Sequence, residues 1–174
     1  MIAGSLDPSG LVKGWSIDRA SALLSAAGAS SHVVNGGGDM QLVGGRTRTL
    51  PWRVGIAHPL QPGAPATVVE GRDLAVATSG SAERGCHILD PRTGRPPVGL
   101  ASLTVTGPRI TLVDAYATAG CAMGAASRGW LEELDGYEAF AVTDEGGYWS
   151  TSGFPAAEAA LTLAETASST SMWA

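Results

Sequence analysis

The placement of glycine constrains this chain more than any other feature of its sequence. Its 24 glycines and 10 prolines make up about one residue in five and cut the 174 residues into short segments. Glycine admits backbone conformations that other residues resist, and proline lacks the N–H that a sheet ladder needs, so long uninterrupted elements are disfavoured. The total stays below the roughly 25–30% at which low complexity becomes the default. An apolar share of 44% against 16% charged supplies a core. At roughly 150 residues per domain, one domain is expected.

The segments between the breaks read as α+β. Trp15 to Ala27 places Ile17, Leu23 and Leu24 near helical spacing, with Gly28 as a stop. His32 to Asn35 and Met40 to Val43 read as a hairpin across Gly36-Gly37-Gly38. Further strands are expected at 52–57, 67–69, 74–77 and 103–106, and a turn at Asp90 to Pro97. The pattern turns helical from Thr111 to about Ala126 and again near Trp130 to Leu134. A terminal hairpin, 138–143 with 148–151, crosses Glu145-Gly146-Gly147. Residues 1–154 form the domain, and 155–174 are an Ala/Ser/Thr-rich tail, read as a marginal helix from Ala156.

Several classes are disfavoured. A net charge of −5 and a pI near 5.1 argue against a nucleic-acid or anionic-membrane surface. No run approaches the ~20 apolar residues of a membrane span. The opening MIAGSLDPSG lacks the basic and apolar regions of a secretory signal, so a cytoplasmic location is expected. Cys86 and Cys121 match no zinc spacing and read as free thiols.

Four constellations could carry chemistry. In Asp7-Pro8-Ser9-Gly10-Leu11-Val12-Lys13-Gly14, an acid, flexible glycines and the chain's only lysine form a loop before a helix, suited to a phosphate. A plain Asx-turn is an even alternative. In Asn35-Gly36-Gly37-Gly38-Asp39, the glycines allow close approach to a ligand, and Asp39 could point at a ribose hydroxyl or back at the loop. On spacing alone a plain hairpin is the better reading. Thr78-Ser79-Gly80 precedes Cys86-His87-Ile88-Leu89-Asp90, where His87 is a candidate base because its pKa lies near neutrality. His32 and His58 have no comparable company and read as structural. Asp114 and Thr118, at i and i+4, share a helix face and offer two oxygens to a hard cation such as Mg²⁺. The rival is a capping box at Thr111 to Asp114.

Taken in order, "LDPSGLVKGWSIDRA", "VVNGGGDM", "WRVGIAHP", "VATSGSAERGCHILDPRTGRP" and "VDAYATAG" resemble the ApbE family of FAD:protein FMN transferases, from about Leu6 to Val142. The resemblance implies an antiparallel sheet packed on helices, a T-fold-related domain. It implies Mg²⁺-dependent transfer of FMN from FAD to a Thr or Ser hydroxyl of a target flavoprotein subunit, with release of AMP. It assigns Asp7, Lys13 and Ile88 to FAD, and Gly37, Gly38 and Asp39 to the shape of the nucleotide pocket. The backbone oxygen of Gly10 with Asp114 and Thr118 would hold the metal, and His87 would be the base. Family members carry a segment before the Asp7 motif, so an N-terminally truncated domain with a pocket open on one side is also implied. Two alternatives follow: Mg²⁺-dependent FAD hydrolysis to FMN and AMP, and a catalytically impaired flavin-binding paralogue or fragment.

Overall fold

A computed structural model describes residues 8–80 and 88–156 of the chain. Asp7, Cys86, His87 and the tail beyond Ala156 lie outside the described residues. The elements, in order, are α1 (Ser9–Ala26), β1 (His32–Gly36), β2 (Asp39–Val43), β3 (Trp52–Ala57), β4 (Pro65–Gly71), β5 (Ala75–Gly80) and β6 (Ser102–Gly107). Then come α2 (Ile110–Met123), a 3-10 turn (Gly124–Ala126), α3 (Ser127–Glu132), β7 (Glu138–Val142) and β8 (Tyr148–Ser150).

Six strands form one antiparallel sheet in the order β1-β2-β5-β6-β7-β8, and β3 and β4 form a separate hairpin. The central strands β5 and β6 are buried on both faces. Along β5 and β6, Ala75, Ala77, Leu103 and Val105 pack with Ile17, Ile110, Val113, Ala117 and Leu131 of the helices. Alternate residues point the other way. There Leu42 and Val76 meet Val54, Ile56 and Val69 of the β3–β4 hairpin. The order is therefore helices, sheet, hairpin.

Helix α1 begins six residues before the apolar pattern suggests. Pro8 sits at its N-cap, where no backbone N–H is required, and its carbonyl accepts from Leu11 and Val12 at 2.9 and 3.0 Å. The helix ends as expected. The Gly28 N–H reaches the Ser25 carbonyl and the Ala29 N–H the Leu24 carbonyl, a Schellman motif with Gly28 at φ +93°. The expected apolar face does not hold: Ile17 is buried, but Leu23 and Leu24 are exposed. The buried face carries Gly14, Ile17 and Ser21 instead.

That face exists because α1 lies against α2. A Cβ on Gly10 would stand 3.3 Å from Thr118 Cγ2, and one on Gly14 would stand 2.9 Å from Asp114 Cβ. Asp18 accepts hydrogen bonds from Arg109 Nη2 and Thr111 Oγ1, both at 2.8 Å. Burial alone would raise the pKa of Asp18; these two donors outweigh it and hold the carboxyl below its usual range. Positions 10, 14 and 18 thus meet 118, 114 and 111, the register of antiparallel helices stepping three or four residues at a time.

Helix α2 runs from Ile110, and the 3-10 turn at 124–126 separates it from α3, where one continuous helix to Ala126 was expected. The capping box does not form. Arg109 is the N-cap and makes no side-chain cap; Thr111 is committed to Asp18, and Asp114 lies beyond the first turn. The Ile110 N–H is satisfied from β2, by Gln41 Oε1 at 3.0 Å, while Gln41 Nε2 donates to the Pro108 carbonyl at 3.3 Å. Cys121 is buried in α2; burial, and then the charge of Asp144, push its thiol up to about 11, which makes it a poor nucleophile.

Candidate functional site

The first constellation is helix rather than loop: Ser9 to Gly14 are the opening turns of α1. This places Lys13 one residue before the α1–α2 contact at Gly14, with its ammonium directed at β2 and α2. Lys13 Nζ forms ion pairs with Asp39 Oδ2 and, at 3.3 Å, with Asp114 Oδ1. Both carboxyl side chains are 3% exposed and the lysine 33%. A single cation on the rim therefore serves two buried acids.

Each acid is aimed by backbone. Asp114 Oδ2 accepts from the Gly14 N–H at 2.8 Å. In a regular helix that N–H belongs to the carbonyl of residue 10. Asp114 thus engages the backbone of α1 one turn after Gly10. Asp39 follows the hairpin turn between β1 and β2, where Gly37 and Gly38 take φ of +67° and +97°. Two consecutive positive φ values define the turn that matches strand twist, and glycine adopts them without penalty. Asn35 closes the turn by accepting from the Gly38 N–H at 3.0 Å, so Asp39 does not point back at its own loop. Its Oδ1 instead accepts from Thr78 N at 3.2 Å across the sheet.

The electrostatics leave the cluster one negative charge in excess. Burial pushes Asp39 up to about 6, and the neighbouring Asp114 adds to this, although Lys13 and Thr78 oppose it. Burial alone would lower Lys13, yet its hydrogen bond and ion pair with Asp39, together with the field of Asp114, raise it. Asp39 Oδ2 makes no hydrogen bond beyond this ion pair among the described residues.

Thr118 sits one turn after Asp114, and its Oγ1 lies 3.4 Å from Ser79 Oγ of β5. Strand alternation explains why Ser79 faces the helices while Thr78 faces the hairpin, where its Oγ1 bonds Thr104 Oγ1 at 2.8 Å. On that hairpin side lies a cleft of about 350 Å³. Gly38 and Asp39 line one part; Val54, Ile56, His58 and Pro59 line another.

Five of the residues singled out in the sequence thus converge: Gly10, Lys13, Asp39, Asp114 and Thr118. Gly38 lines the cleft and Gly37 serves the turn. Ile88 is half-buried just before the turn that Asp90 and Arg95 close. Asp7 and His87 fall outside the described residues. Sequence reading missed Gln41, which caps α2, and left the cleft-lining His58 among structural residues. Only the Trp-Arg-Val-Gly-Ile-Ala-His-Pro motif around His58 could have signalled it.

Among the described residues no three His, Cys, Asp or Glu side chains converge as a metal cage. The donor chemistry nonetheless fits a hard divalent cation. It offers a buried carboxylate already engaged by a cation, a hydroxyl one helical turn away, the backbone of Gly10 beside that hydroxyl, and surplus negative charge.

Comparison with known proteins settles the lineage. The profile of the ApbE family matches residues 3–141. This chain belongs to the ApbE family. It is 36% identical over 158 residues to the FAD:protein FMN transferase of Rhodobacter capsulatus, covering 86% of this chain and 30% of that protein. It is 30% identical over 156 residues to the FAD:protein FMN transferase of Escherichia coli K12, covering 84% and 44%. The fold matches the ApbE protein of Thermotoga maritima with a TM-score of 0.77 at 31% identity, over 85% of this chain and 52% of that structure. It also matches the flavin transferase ApbE of Vibrio cholerae at 0.75, 30% identity, and 86% and 51% coverage. The chain spans about half the length of these ApbE structures, and less than half of the curated relatives. Its sheet-and-helix architecture is that of an ApbE flavin transferase. No helix among the described residues is long and apolar enough to cross a membrane.

Proposed function

We infer that this chain binds FAD along the cleft and the Lys13 cluster, and transfers its FMN half to a Thr or Ser hydroxyl of a flavoprotein acceptor, releasing AMP. The observation that carries this reading is the ion-paired set Lys13, Asp39 and Asp114 beside Thr118, joined by residues a hundred positions apart. The names of the relatives support the flavin chemistry.

In this reading the acceptor oxygen attacks the phosphorus of the FMN half, and the bond from that phosphorus to the bridging pyrophosphate oxygen breaks. AMP leaves with that oxygen, and the acceptor proton passes to a base, for which His87 is the candidate. Such transfers need alignment and charge neutralisation more than covalent help. Lys13 supplies a point charge to the pyrophosphate. Asp114, Thr118 and the Gly10 carbonyl would hold Mg²⁺, which when bound neutralises charge developing on phosphate oxygens. Asp39 and Asp114 fix the ammonium of Lys13 by their ion pairs, and the glycine turn keeps side chains from obstructing the nucleotide. Asp7 and Ile88 complete the proposed FAD contacts.

Incubating the chain with FAD, Mg²⁺ and a peptide bearing an acceptor Thr tests this directly. Flavin joined to the peptide, with AMP in equal amount, is expected. Free FMN with AMP would favour hydrolysis, and intact FAD would favour an impaired paralogue or fragment.

A further inference from the structure

We propose that His58 and Tyr148 form a positioning latch that holds the outer wall of the cleft in the place FAD requires. This rests on the FAD reading above. Both nitrogens of His58 are committed. Nδ1 accepts from the Leu60 N–H at 3.1 Å, which in the neutral ring puts the proton on Nε2, 3.0 Å from Tyr148 Oη. The two rings meet edge-on, 5.9 Å apart at 85°.

These bonds add a polar link between two layers that otherwise meet through the Leu42, Val54, Ile56, Val69 and Val76 core and the bond from Trp52 Nε1 to the Val43 carbonyl. His58 directly follows strand β3 of the hairpin layer and is 6% exposed, while Tyr148 begins β8 at the edge of the main sheet. The loop after His58 is closed on itself: the His58 N–H donates to Ala64 O at 2.9 Å, and the Ala64 N–H to Gln61 O at 3.1 Å. Pro59 and Pro62 of that loop line the cleft. Tyr148 in turn stacks on Phe140 at 5.8 Å, and Phe140 contacts Phe154 of the hairpin-side core at 5.6 Å. At the other side of the cleft, Asp39 is fixed by Lys13 and Thr78. Ion pairs thus fix the Asp39 side of the cleft, while on the other side the apolar core holds Val54 and Ile56 and the His58–Tyr148 hydrogen bond ties the end of the wall, where the Pro59–Pro62 loop begins, to the main sheet.

Two variants isolate that bond. Tyr148→Phe keeps the ring on Phe140 and removes only the hydroxyl that meets His58 Nε2. His58→Asn keeps an acceptor for the Leu60 N–H but cannot reach Tyr148. Each variant, and the double variant equally, is expected to bind FAD about fivefold more weakly, the range of a single net hydrogen bond. Amide exchange at Leu60, Gln61 and Ala64 should quicken in step, and in Tyr148→Phe, whose side chain does not line the cleft, turnover at saturating FAD should stay within about twofold and the melting temperature should hold. Unchanged FAD affinity, or additive losses in the double variant, would overturn the latch. A parallel fall in turnover and melting temperature would also overturn it, by making the pair a stabilising contact only. If the unaltered chain binds no FAD, the functional reading fails instead, and the exchange rates at Leu60, Gln61 and Ala64 still decide whether the pair restrains the wall.

Discussion

Gly14→Ala should cost about 1–3 kcal/mol of stability, the usual range for forcing volume into a packed contact, and about a hundredfold in FAD turnover. The added Cβ would stand 2.7 Å from the Ile110 carbonyl oxygen and 2.9 Å from Asp114 Cβ. The first of these is backbone, which cannot turn aside as a flexible side chain would. Alanine is the better helix former by about 1 kcal/mol, so local propensity pulls the other way. Packing wins because relief requires α1 and α2 to part along their whole contact. Parting stretches the Gly14–Asp114 hydrogen bond and withdraws Lys13 from its acids together. Gly129→Ala, in α3 with open space around it, is the control and should be neutral or slightly stabilising. Urea melts followed by circular dichroism, with parallel FAD assays, check both. A stable and fully active Gly14→Ala chain would show that the two helices do not depend on this contact.

The second large effect separates the structural work of Asp114 from its chemical work. Asp114→Asn keeps an oxygen for the Gly14 N–H but loses the charge; it should fold normally and lose at least about a hundredfold of divalent-cation-dependent FAD turnover. Asp114→Ala should lose that turnover too, and also about 1–3 kcal/mol, because the buried Gly14 N–H is left without its acceptor. Thermal melts and turnover at varied Mg²⁺ distinguish them. Equal stability in both variants would mean the Gly14–Asp114 bond contributes little. Full turnover in Asp114→Asn would remove the carboxylate from the cation site.

What sequence made legible here follows from how local each signal is. The β1–β2 hairpin was readable because two glycines demand one kind of turn, and the end of α1 because Gly28 has one common use there. The start of α1 was not. Pro8, Gly10 and Gly14 read as breakers, and the apolar residues near helical spacing, Leu23 and Leu24, are exposed. The buried face is small because another helix occupies the space, and that fact is stored a hundred residues away. Asp114 shows the same limit: on spacing it resembles a cap, and only the placement of Gln41 and Asp18 shows that capping is done by others. Strands β3 and β4 alternate like the rest, so nothing local marked them as a layer of their own. The resemblance to a family, not periodicity, brought Lys13, Asp39, Asp114 and Thr118 together before the fold did.

The turn at Gly37 and Gly38 has a consequence for how this site can vary. The acid beside the cleft takes its direction from two residues without side chains, whose mirror-image torsions decide where the next carboxyl emerges. Natural replacements there carry a Cβ of the wrong chirality, so they would swing Asp39 away from Lys13 without touching either residue. The aim of the charge is thus a property of backbone handedness, and the charged residues alone do not encode it.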